Sequence, residues 1–225
     1  MLLILDKPAW FTSFDCVRKL QKIYWKKTPI GHAWTLDPFA TGVLVIWIGK
    51  SWTKRLHSIQ GSSKVYRARI DLTRVTDTRD CDPRSFSASW SPSWWWSEDN
   101  TQLIKKRGRS RLWDDIAIPT ESQVIKALQL MVWTTRHLLT PFNAKKIQGI
   151  KWYERARRWE PLFIPQDMDV YNAELIEYRF PYVTVRFEVW TGTYIRSLAH
   201  TLWYKLLTWW ICDQLHRESV GLYWL

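Results

Sequence analysis

Apolar and polar residues follow one another along the chain in short blocks that predict both strands and helices. Residues 2–5 are an apolar run, which predicts a buried strand. Residues 43–46 are apolar on both faces, as in a central strand. Residues 65–72 and 184–189 alternate between inward apolar and outward polar positions, and this period of two predicts two half-buried strands.

Three further segments repeat apolar residues every three or four positions, which predicts amphipathic helices. Thr12 or Ser13 can cap the first helix, and residues 120–123 match a capping box before the second. The expected inward positions are Phe14, Val17, Leu20 and Tyr24 in the first helix, Val124, Ile125, Leu128, Met131 and Val132 in the second, and Ile195, Leu198, Leu202 and Leu206 in the third. Strands and helices interspersed over 225 residues, with no evident interdomain linker, predict a single α/β domain spanning 1–225.

Two segments stand apart from these periodic elements. The polar stretch from about 84 to 118 includes a basic run, and its composition predicts a flexible insertion that serves either as an RNA-binding arm or as a solubilising loop. A basic thumb is predicted around residues 135–160. Between positions 136 and 158, seven lysines and arginines stand against one acid, Glu154. Aromatic residues interleaved with these charges favour phosphate contacts over an ordinary solvated face.

The charge balance narrows the class of partner. A formal net charge of +12 and a pI of about 9.7 favour a polyanion, either nucleic acid or an anionic membrane surface. No apolar stretch is long enough to cross a bilayer, the N-terminal run is too short for a signal peptide, and no basic helix has a sufficient apolar face. We therefore expect a cytoplasmic protein without membrane attachment.

Three cysteines with no Cys-x-x-Cys spacing predict free thiols rather than disulfides or a zinc site.

Residues 31–42, Gly-His-Ala-Trp-Thr-Leu-Asp-Pro-Phe-Ala-Thr-Gly, are the strongest candidate for chemistry. They place the carboxylate of Asp37 near His32 in a segment whose glycines and Pro38 predict a turn rather than a helix. Taken alone, an aspartate before proline is more often a turn residue, and a single loop histidine is unspecific. No second ligand stands at a useful spacing for a metal ion. We interpret the segment as an active-site loop that binds no metal.

This loop resembles the motif that holds the catalytic aspartate in pseudouridine synthases of the TruB type, Gly-His-x-Gly-Thr/Ala-Leu-Asp-Pro-x-Ala-Thr-Gly. The chain departs from that motif at one place, Trp34. Further matches extend the resemblance over nearly the whole chain, at residues 6–13 (Asp-Lys-Pro-Ala-Trp-Phe-Thr-Ser), 66, 76–80, 144–157 and 192–196 (Gly-Thr-Tyr-Ile-Arg).

The resemblance implies the pseudouridine synthase fold, an α/β (α+β) domain with a central mixed, largely antiparallel sheet flanked by helices. It also implies isomerisation of the T-loop uridine of tRNA conventionally numbered 55, with no cofactor and no metal. Asp37 would be the catalytic carboxylate, and Arg196 would pair with it. Tyr66 would stack on the uracil and could accept a proton.

The resemblance also suggests residues that contact the RNA. His32 would replace the flipped base in its stack, Tyr194 would wall the pocket, and the other expected contacts are Lys7, Leu215, Lys146 and Arg157. The expected partner is the T-arm of tRNA, bound by a monomer that lacks the C-terminal PUA domain of many relatives. A non-catalytic RNA-binding or tRNA-folding module is the alternative, and such a module would keep the basic thumb without needing Asp37.

Tryptophan is unusually frequent, with 18 residues against 8 glycines. Residues 89–97 would be a Gly/Ser-rich linker if each tryptophan there were glycine. Six tryptophans also fall where the resembling family commonly has glycine: Trp10, Trp34, Trp133, Trp159, Trp203 and Trp209. The hypothesis is that the gene uses UGA for glycine. The alternative is a naturally Trp-rich protein whose aromatic rings stack on unpaired bases.

Overall fold

The computed structural model describes most of the periodic elements but little of the two basic segments. It covers residues 1–24, 28–50, 61–74, 76, 78–81, 118–140, 143, 146–147, 149–151, 164–208 and 210–225. The insertion predicted at 84–118 lies outside the described residues except for Ile118. Much of the thumb predicted at 135–160 lies outside them as well.

Strands outnumber helices in the described residues. The strands are β1 (Leu2–Lys7), β2 (Ile30–Ala33), β3 (Thr41–Ile48), β4 (Lys64–Asp71), β5 (Trp133–Leu139), β6 (Lys146–Ile147), β7 (Ile150–Lys151), β8 (Ile164–Arg179), β9 (Tyr182–Val189), β10 (Ile211–Val220) and β11 (Tyr223–Trp224). The helices are α1 (Ser13–Ile23), α2 (Glu121–Gln129) and α3 (Ile195–Leu206). The four strands and three helices predicted from periodicity are all present.

One large sheet organises the described chain. Its strand order is β1-β3-β10-β4-β9-β8-β5, with β2 added beside β3 and β11 beside β10. Neighbouring strands are antiparallel except β3 and β10, which run parallel where Thr41 and Gly42 face His216 and Arg217. The predicted mixed, largely antiparallel sheet is therefore confirmed. The parallel pair joins the segment after Asp37 to the C-terminal part of the chain.

The two faces of β4 have opposite character, as its alternation predicted. Tyr66, Ala68 and Ile70 are buried in the main apolar core, together with residues of α2 and α3. Arg67 and Arg69 point to the other face, where they form ion pairs with acids of β10. This arrangement places Tyr66 on the side of the sheet that carries α2 and α3.

The helix caps follow the sequence signals closely. Thr12 caps α1 and Thr120 caps α2, and each forms a reciprocal capping box with the side chain three residues later. Two positions predicted to face inward do not, because Phe14 of α1 is 54% exposed and Ile125 of α2 is 39% exposed. Since α2 ends at Gln129, Met131 is buried from the turn that follows the helix rather than from the helix itself.

Two segments for which no strand was predicted are partly strand. Gly31 and His32 belong to β2 because they pair with Trp47 and Ile46 of β3, so the connecting loop is confined to residues 34–40. The first residues of the predicted thumb, 135–139, belong to β5, which pairs with β8 through backbone hydrogen bonds and the Arg136–Asp167 ion pair. Long-range pairing partners, invisible in a local pattern, decide both cases.

Three of the six tryptophans placed at family glycine positions have left-handed backbone. The φ angles are +67° at Trp10, +52° at Trp34 and +80° at Trp133. L-residues rarely adopt this region, whereas glycine enters it freely. Trp203 lies inside α3, and Trp159 and Trp209 lie outside the described residues. The recoding hypothesis stays a prediction, and replacing these three tryptophans by glycine would test it.

Candidate active site

The loop that carries Asp37 is held from behind by the N-terminal segment. Lys7 is fully buried, and its Nζ donates to the carbonyl oxygens of Phe11 at 2.6 Å, Pro8 at 2.9 Å and Pro38 at 3.0 Å. Burial lowers the pKa of Lys7 to about 8, so the ammonium form still predominates at neutral pH. Through these hydrogen bonds the ammonium group connects Pro38, the residue after Asp37, to the segment that follows β1.

Both ends of the loop receive further support. The Ser13 hydroxyl accepts from the Leu36 amide at 3.0 Å, immediately before Asp37. The Gly42 amide donates to the Asp6 carboxylate at 3.1 Å where β3 begins. Two motifs that are 30 residues apart in the sequence, 6–13 and 35–42, thus form one structural unit. Its effect is to fix the backbone on either side of the candidate carboxylate.

Gly42 is required by a close approach of two strands. Its φ is +99°, and a Cβ atom there would lie 2.2 Å from the carbonyl oxygen of Arg217. Any larger residue would therefore push apart the parallel pair formed by β3 and β10. Because the Asp37 loop and Arg217 both depend on that pairing, the glycine sets the distance between two walls of the site.

Asp37 forms a two-point ion pair with Arg196. Nε of Arg196 lies 3.0 Å from Oδ2, and Nη2 lies 3.0 Å from Oδ1. The arginine side chain is only 6% exposed, whereas that of Asp37 is 34% exposed. The guanidinium therefore supports the carboxylate from the interior and leaves part of it open. A bidentate pair of this kind fixes orientation as well as charge.

A second acid and a backbone carbonyl hold the other side of Arg196. Its Nη1 donates to the Thr78 carbonyl at 2.7 Å and lies 3.5 Å from Oδ2 of Asp80. Burial acts to lower the pKa of Arg196, but the carboxylates of Asp37 and Asp80 outweigh it and hold that pKa above its ordinary value. The cation is permanently charged and cannot swing away from Asp37 without losing these contacts.

Asp37 faces a cavity of about 390 Å³. This volume lies within the range usual for small-molecule and cofactor sites. The lining includes Asp37, Lys64, Tyr66, Tyr194, Leu215 and Arg217. A second cavity, of about 370 Å³, lies beside Arg67 and Arg69, but these cations are paired with Glu218 and Asp213 and the lining lacks Asp37. Of these two cavities, the one at Asp37 is the better candidate for an active site, because Arg196 holds a partly exposed carboxylate at its wall.

Two tyrosines contribute to the wall of this cavity. Tyr66 lies on β4 and is 7% exposed, and its hydroxyl oxygen accepts from Nη1 of Arg217 at 3.4 Å. Tyr194 occupies the N-cap position of α3, immediately before Ile195 and Arg196. Burial, reinforced by the charge of Asp37, raises the pKa of Tyr194 and keeps its phenol neutral at physiological pH.

The remaining predicted contacts are placed differently. His32 is half-buried on β2 and does not line the cavity, and burial together with the charge of Arg217 lowers its pKa, which favours the neutral ring. Lys7 lies behind the loop rather than in the cavity. Lys146 begins β6, with only its backbone described, and Arg157 lies outside the described residues. The substrate roles of these four residues stay predictions.

Sequence reasoning overlooked three charged residues at the site. Lys64 precedes Tyr66 by two positions on an alternating strand, so the period of two could have placed it on the same face. Arg217 follows Leu215 by two positions on β10 in the same way. Asp80 belongs to a segment matched by resemblance but given no role. Within the described ranges, no group of three His, Cys, Asp or Glu residues is arranged to hold a metal ion.

Solved structures share this fold. The chain aligns over 98% of its length with a chain of a structure described as "Crystal Structure of a Cbf5-Nop10-Gar1 Complex", with a TM-score of 0.64 and 21% identity, and spans 48% of that chain. A similar alignment, with a TM-score of 0.61, is found for "Structure of H/ACA RNP bound to a substrate RNA containing 2'-deoxyuridine". These likenesses confirm the predicted pseudouridine synthase fold.

Sequence comparisons identify the family. Residues 21–93 match the model of "TruB family pseudouridylate synthase (N terminal domain)". Two proteins named tRNA pseudouridine synthase B are similar over most of the chain. The protein from Protochlamydia amoebophila is 36% identical over 91% of this chain and 68% of its own length, and that from Chlamydia pneumoniae is 33% identical over 98% and 82%. The chain therefore belongs to the TruB family of pseudouridine synthases, as the sequence motifs predicted.

Proposed function

We propose that the protein is a tRNA pseudouridine synthase that converts the T-loop uridine conventionally numbered 55 to pseudouridine. The reaction breaks the bond between ribose C1′ and N1 of uracil, rotates the base and rejoins it to the sugar through C5. It is an isomerisation and consumes no second substrate. The names of the relatives and the shared family support this assignment.

The observation that carries the proposal is a partly exposed carboxylate, Asp37, held by the buried Arg196 at the wall of a cavity that can admit a nucleobase. A carboxylate at this place can attack C1′ as a nucleophile or stabilise positive charge on the sugar while the C1′–N1 bond breaks. Tyr66 would stack on the uracil and accept the C5 proton. Tyr194 and Leu215 would close the pocket around the base.

The uridine must leave the stacked T-loop to reach the cavity, at a cost of about a few kcal/mol. Contacts with the RNA backbone have to offset that cost, and the net charge of +12 suits this task. In the described part of the chain, no helix is long and apolar enough to cross a bilayer. A monomer that acts on the T-arm in the cytoplasm is part of the same proposal.

The decisive experiment measures tritium release from a T-arm RNA labelled at C5 of the target uracil. The Asp37→Asn variant removes the charge while keeping the shape, and we expect its rate to fall by about 10³-fold or more, equal to about 4 kcal/mol of barrier. Glu177→Gln is the matched control because it neutralises an exposed acid on β8. That control should keep the rate of the unaltered chain.

Each result has a definite meaning. Release that is lost in Asp37→Asn and retained in Glu177→Gln establishes the synthase and its carboxylate together. A folded chain that binds the T-arm RNA without releasing tritium would overturn the proposal. That outcome would favour the alternative, a non-catalytic RNA-binding or tRNA-folding module.

A further inference from the structure

The cavity at Asp37 is lined by two buried cations that have no acidic partner among the described residues. Lys64 is 5% exposed and Arg217 is fully buried, and both line the cavity. The Nζ of Lys64 donates to the Ser62 carbonyl at 3.1 Å. In the part of the chain that the structure describes, neither cation forms an ion pair with a carboxylate, whereas Arg196, which supports Asp37 from the interior, is paired with two. The cavity wall therefore carries uncompensated positive charge.

Arg217 has one unused donor group. Its Nε donates to the Val43 carbonyl at 2.8 Å and its Nη1 to the Tyr66 hydroxyl at 3.4 Å, but its buried Nη2 has no hydrogen-bond partner among the residues that the structure describes. Leaving a buried donor unsatisfied carries a desolvation penalty, which is larger for a charged group. A purely structural arginine would be expected to use all three nitrogens. An acceptor supplied by a ligand would remove this cost.

The strand register brings the two cations close to Tyr66. Lys64 lies two residues before Tyr66 on the same face of β4, and Arg217 is directly paired with Tyr66 across β10. Burial, and secondarily the charge of Arg217, lowers the pKa of Lys64 to about 8. The ammonium is therefore still charged at neutral pH, although two neighbouring buried cations repel one another. A negatively charged ligand would relieve that repulsion.

We propose that Lys64 and Arg217 form a subsite for an anionic oxygen of the bound nucleotide. The inference rests on the proposed function, since the ligand is the target uridine. Two oxygens have the required chemistry. One belongs to a phosphate that flanks the uridine. The other is a uracil carbonyl oxygen, which gains negative charge when the C1′–N1 bond breaks and its electron pair stays on the base.

The second source fits the charges of the reaction. After cleavage, the sugar at C1′ is positive and lies towards Asp37, while the uracil is an anion near the two cations. The new bond from C5 to C1′ then uses electrons of the base, C5 loses its proton, and N1 gains one, so no net charge or electron is left over. Fixed cations at developing negative charge are an effective form of electrostatic catalysis.

The test uses Lys64→Met, which removes the charge and keeps most of the stem. Lys64→Arg restores the charge, and Lys126→Met removes a lysine from the exposed face of α2 as a control. Circular dichroism confirms folding, and Lys64→Gln replaces Lys64→Met if that variant does not fold. Each variant is assayed for binding and for single-turnover tritium release, with T-arm RNA and with RNAs carrying a neutral methylphosphonate at either phosphate flanking the uridine.

The two sources give different results. If the subsite binds a phosphate, one methylphosphonate and Lys64→Met should each raise Kd about tenfold, and combining them should add little. If it binds the base, Lys64→Met should slow tritium release about tenfold or more at unchanged Kd, with recovery in Lys64→Arg. A folded Lys64→Met or Lys64→Gln variant that matches Lys126→Met in both Kd and rate would overturn the subsite.

Failure of the proposed function would be recognised separately. In that case the unaltered chain would bind the T-arm RNA but release no tritium. The binding measurements would then decide the subsite by themselves. Without a reaction no negative charge develops on the uracil, so the flanking phosphate would be the remaining source, and equal Kd values for the unmodified and methylphosphonate RNAs would then overturn the subsite.

Discussion

Arg196 holds both carboxylate oxygens of Asp37, although the two residues are 159 positions apart in the sequence. The arginine is buried and the aspartate is partly exposed, so the pair has a fixed side and a reactive side. An exposed ion pair contributes little to stability because solvent screens it. The pair of Arg196 with Asp37 differs because Arg196 is buried. Its charge is shielded from solvent and has to be balanced by neighbouring groups such as Asp37.

We predict that Arg196→Lys will slow tritium release by about 100-fold while the chain still folds. Lysine keeps the charge but cannot bridge two oxygens, and a loss of about 2–3 kcal/mol in orientation corresponds to that factor. Arg67→Lys is the matched control, because Arg67 pairs with Glu218 on the other face of the sheet. Equal rates in Arg196→Lys and Arg67→Lys would show that the two-point geometry has no role in the reaction.

Local patterns were sufficient to predict where Tyr66 lies. A strand with one buried face must place every second residue in the core, so the alternation of β4 predicted its orientation. The thumb was different, because residues 135–139 became strand β5 through pairing with β8, about 30 residues further along. Such pairing depends on partners that are distant in the sequence and leaves no periodic signal beyond that of any short polar strand.

In the candidate site, too, local motifs predicted some residues, whereas the positions of others depend on distant strand pairing. The motif at 31–42 predicted Asp37, and resemblance supplied Arg196 as its partner. Arg217 was overlooked although its spacing of two from Leu215 fits the alternation of β10. Alternation gives the face of a strand on which a residue lies, but it does not show that this face borders Asp37. That proximity depends on the parallel pairing of β10 with β3 and on a hydrogen bond to Val43, 174 positions away.

Gly42→Ala should destabilise the protein strongly, by about 2–4 kcal/mol, since backbone strain and overpacking each contribute about 1–3 kcal/mol. The added methyl group would meet the Arg217 carbonyl at 2.2 Å. Gly49→Ala separates the two causes, because Gly49 has the same φ of +99° but, among the described residues other than its chain neighbours, no atom within 4 Å of a Cβ. We expect Gly49→Ala to lower the free energy of unfolding by only about 1 kcal/mol, the part due to backbone strain. Chemical denaturation of both variants measures the difference, and equal losses would remove the close approach as a cause.

Trp10→Gly, Trp34→Gly and Trp133→Gly should each stabilise the protein by about 1 kcal/mol, because each relieves a left-handed backbone that costs an L-residue about 1–2 kcal/mol. Trp210→Gly is the control, since Trp210 is completely buried and its removal should destabilise by about 3–5 kcal/mol. Thermal unfolding gives the sign for each variant. Destabilisation by all four substitutions would argue that these tryptophans are native.

The codons provide an independent check on the same hypothesis. UGA at positions 10, 34 and 133 would support a glycine reading, and UGG would exclude it. At position 34 the choice between tryptophan and glycine also affects the site. Trp34 lines the cavity, and the centroid of its ring lies 5.4 Å from Nζ of Lys64. Glycine there would enlarge the cavity and uncover Lys64, so Trp34→Gly should also increase the affinity for T-arm RNA.

Acid should destabilise the fold through two histidines that are buried in the neutral form. Burial lowers the pKa of His137 to about 4 and that of His200 to about 3, with smaller contributions from Lys205 and Arg79. The ordinary pKa is near 6.5, so the unfolded chain binds more protons below that pH. Their contribution to stability is complete above pH 6.5 and is lost as the pH falls towards 4.

Well below pH 6.5, each histidine should remove about 1.4 kcal/mol of stability per pH unit. The measurement is the free energy of unfolding by urea at several pH values between 7.5 and 5.0, where most carboxylates stay ionised. The His137→Gln variant, which keeps polar contact with Thr135 and Thr201 in reach, should show a shallower slope. His200→Gln should flatten the slope in the same way, and the double variant should flatten it further. A double variant with the slope of the unaltered chain would mean that these histidines are not the groups that titrate.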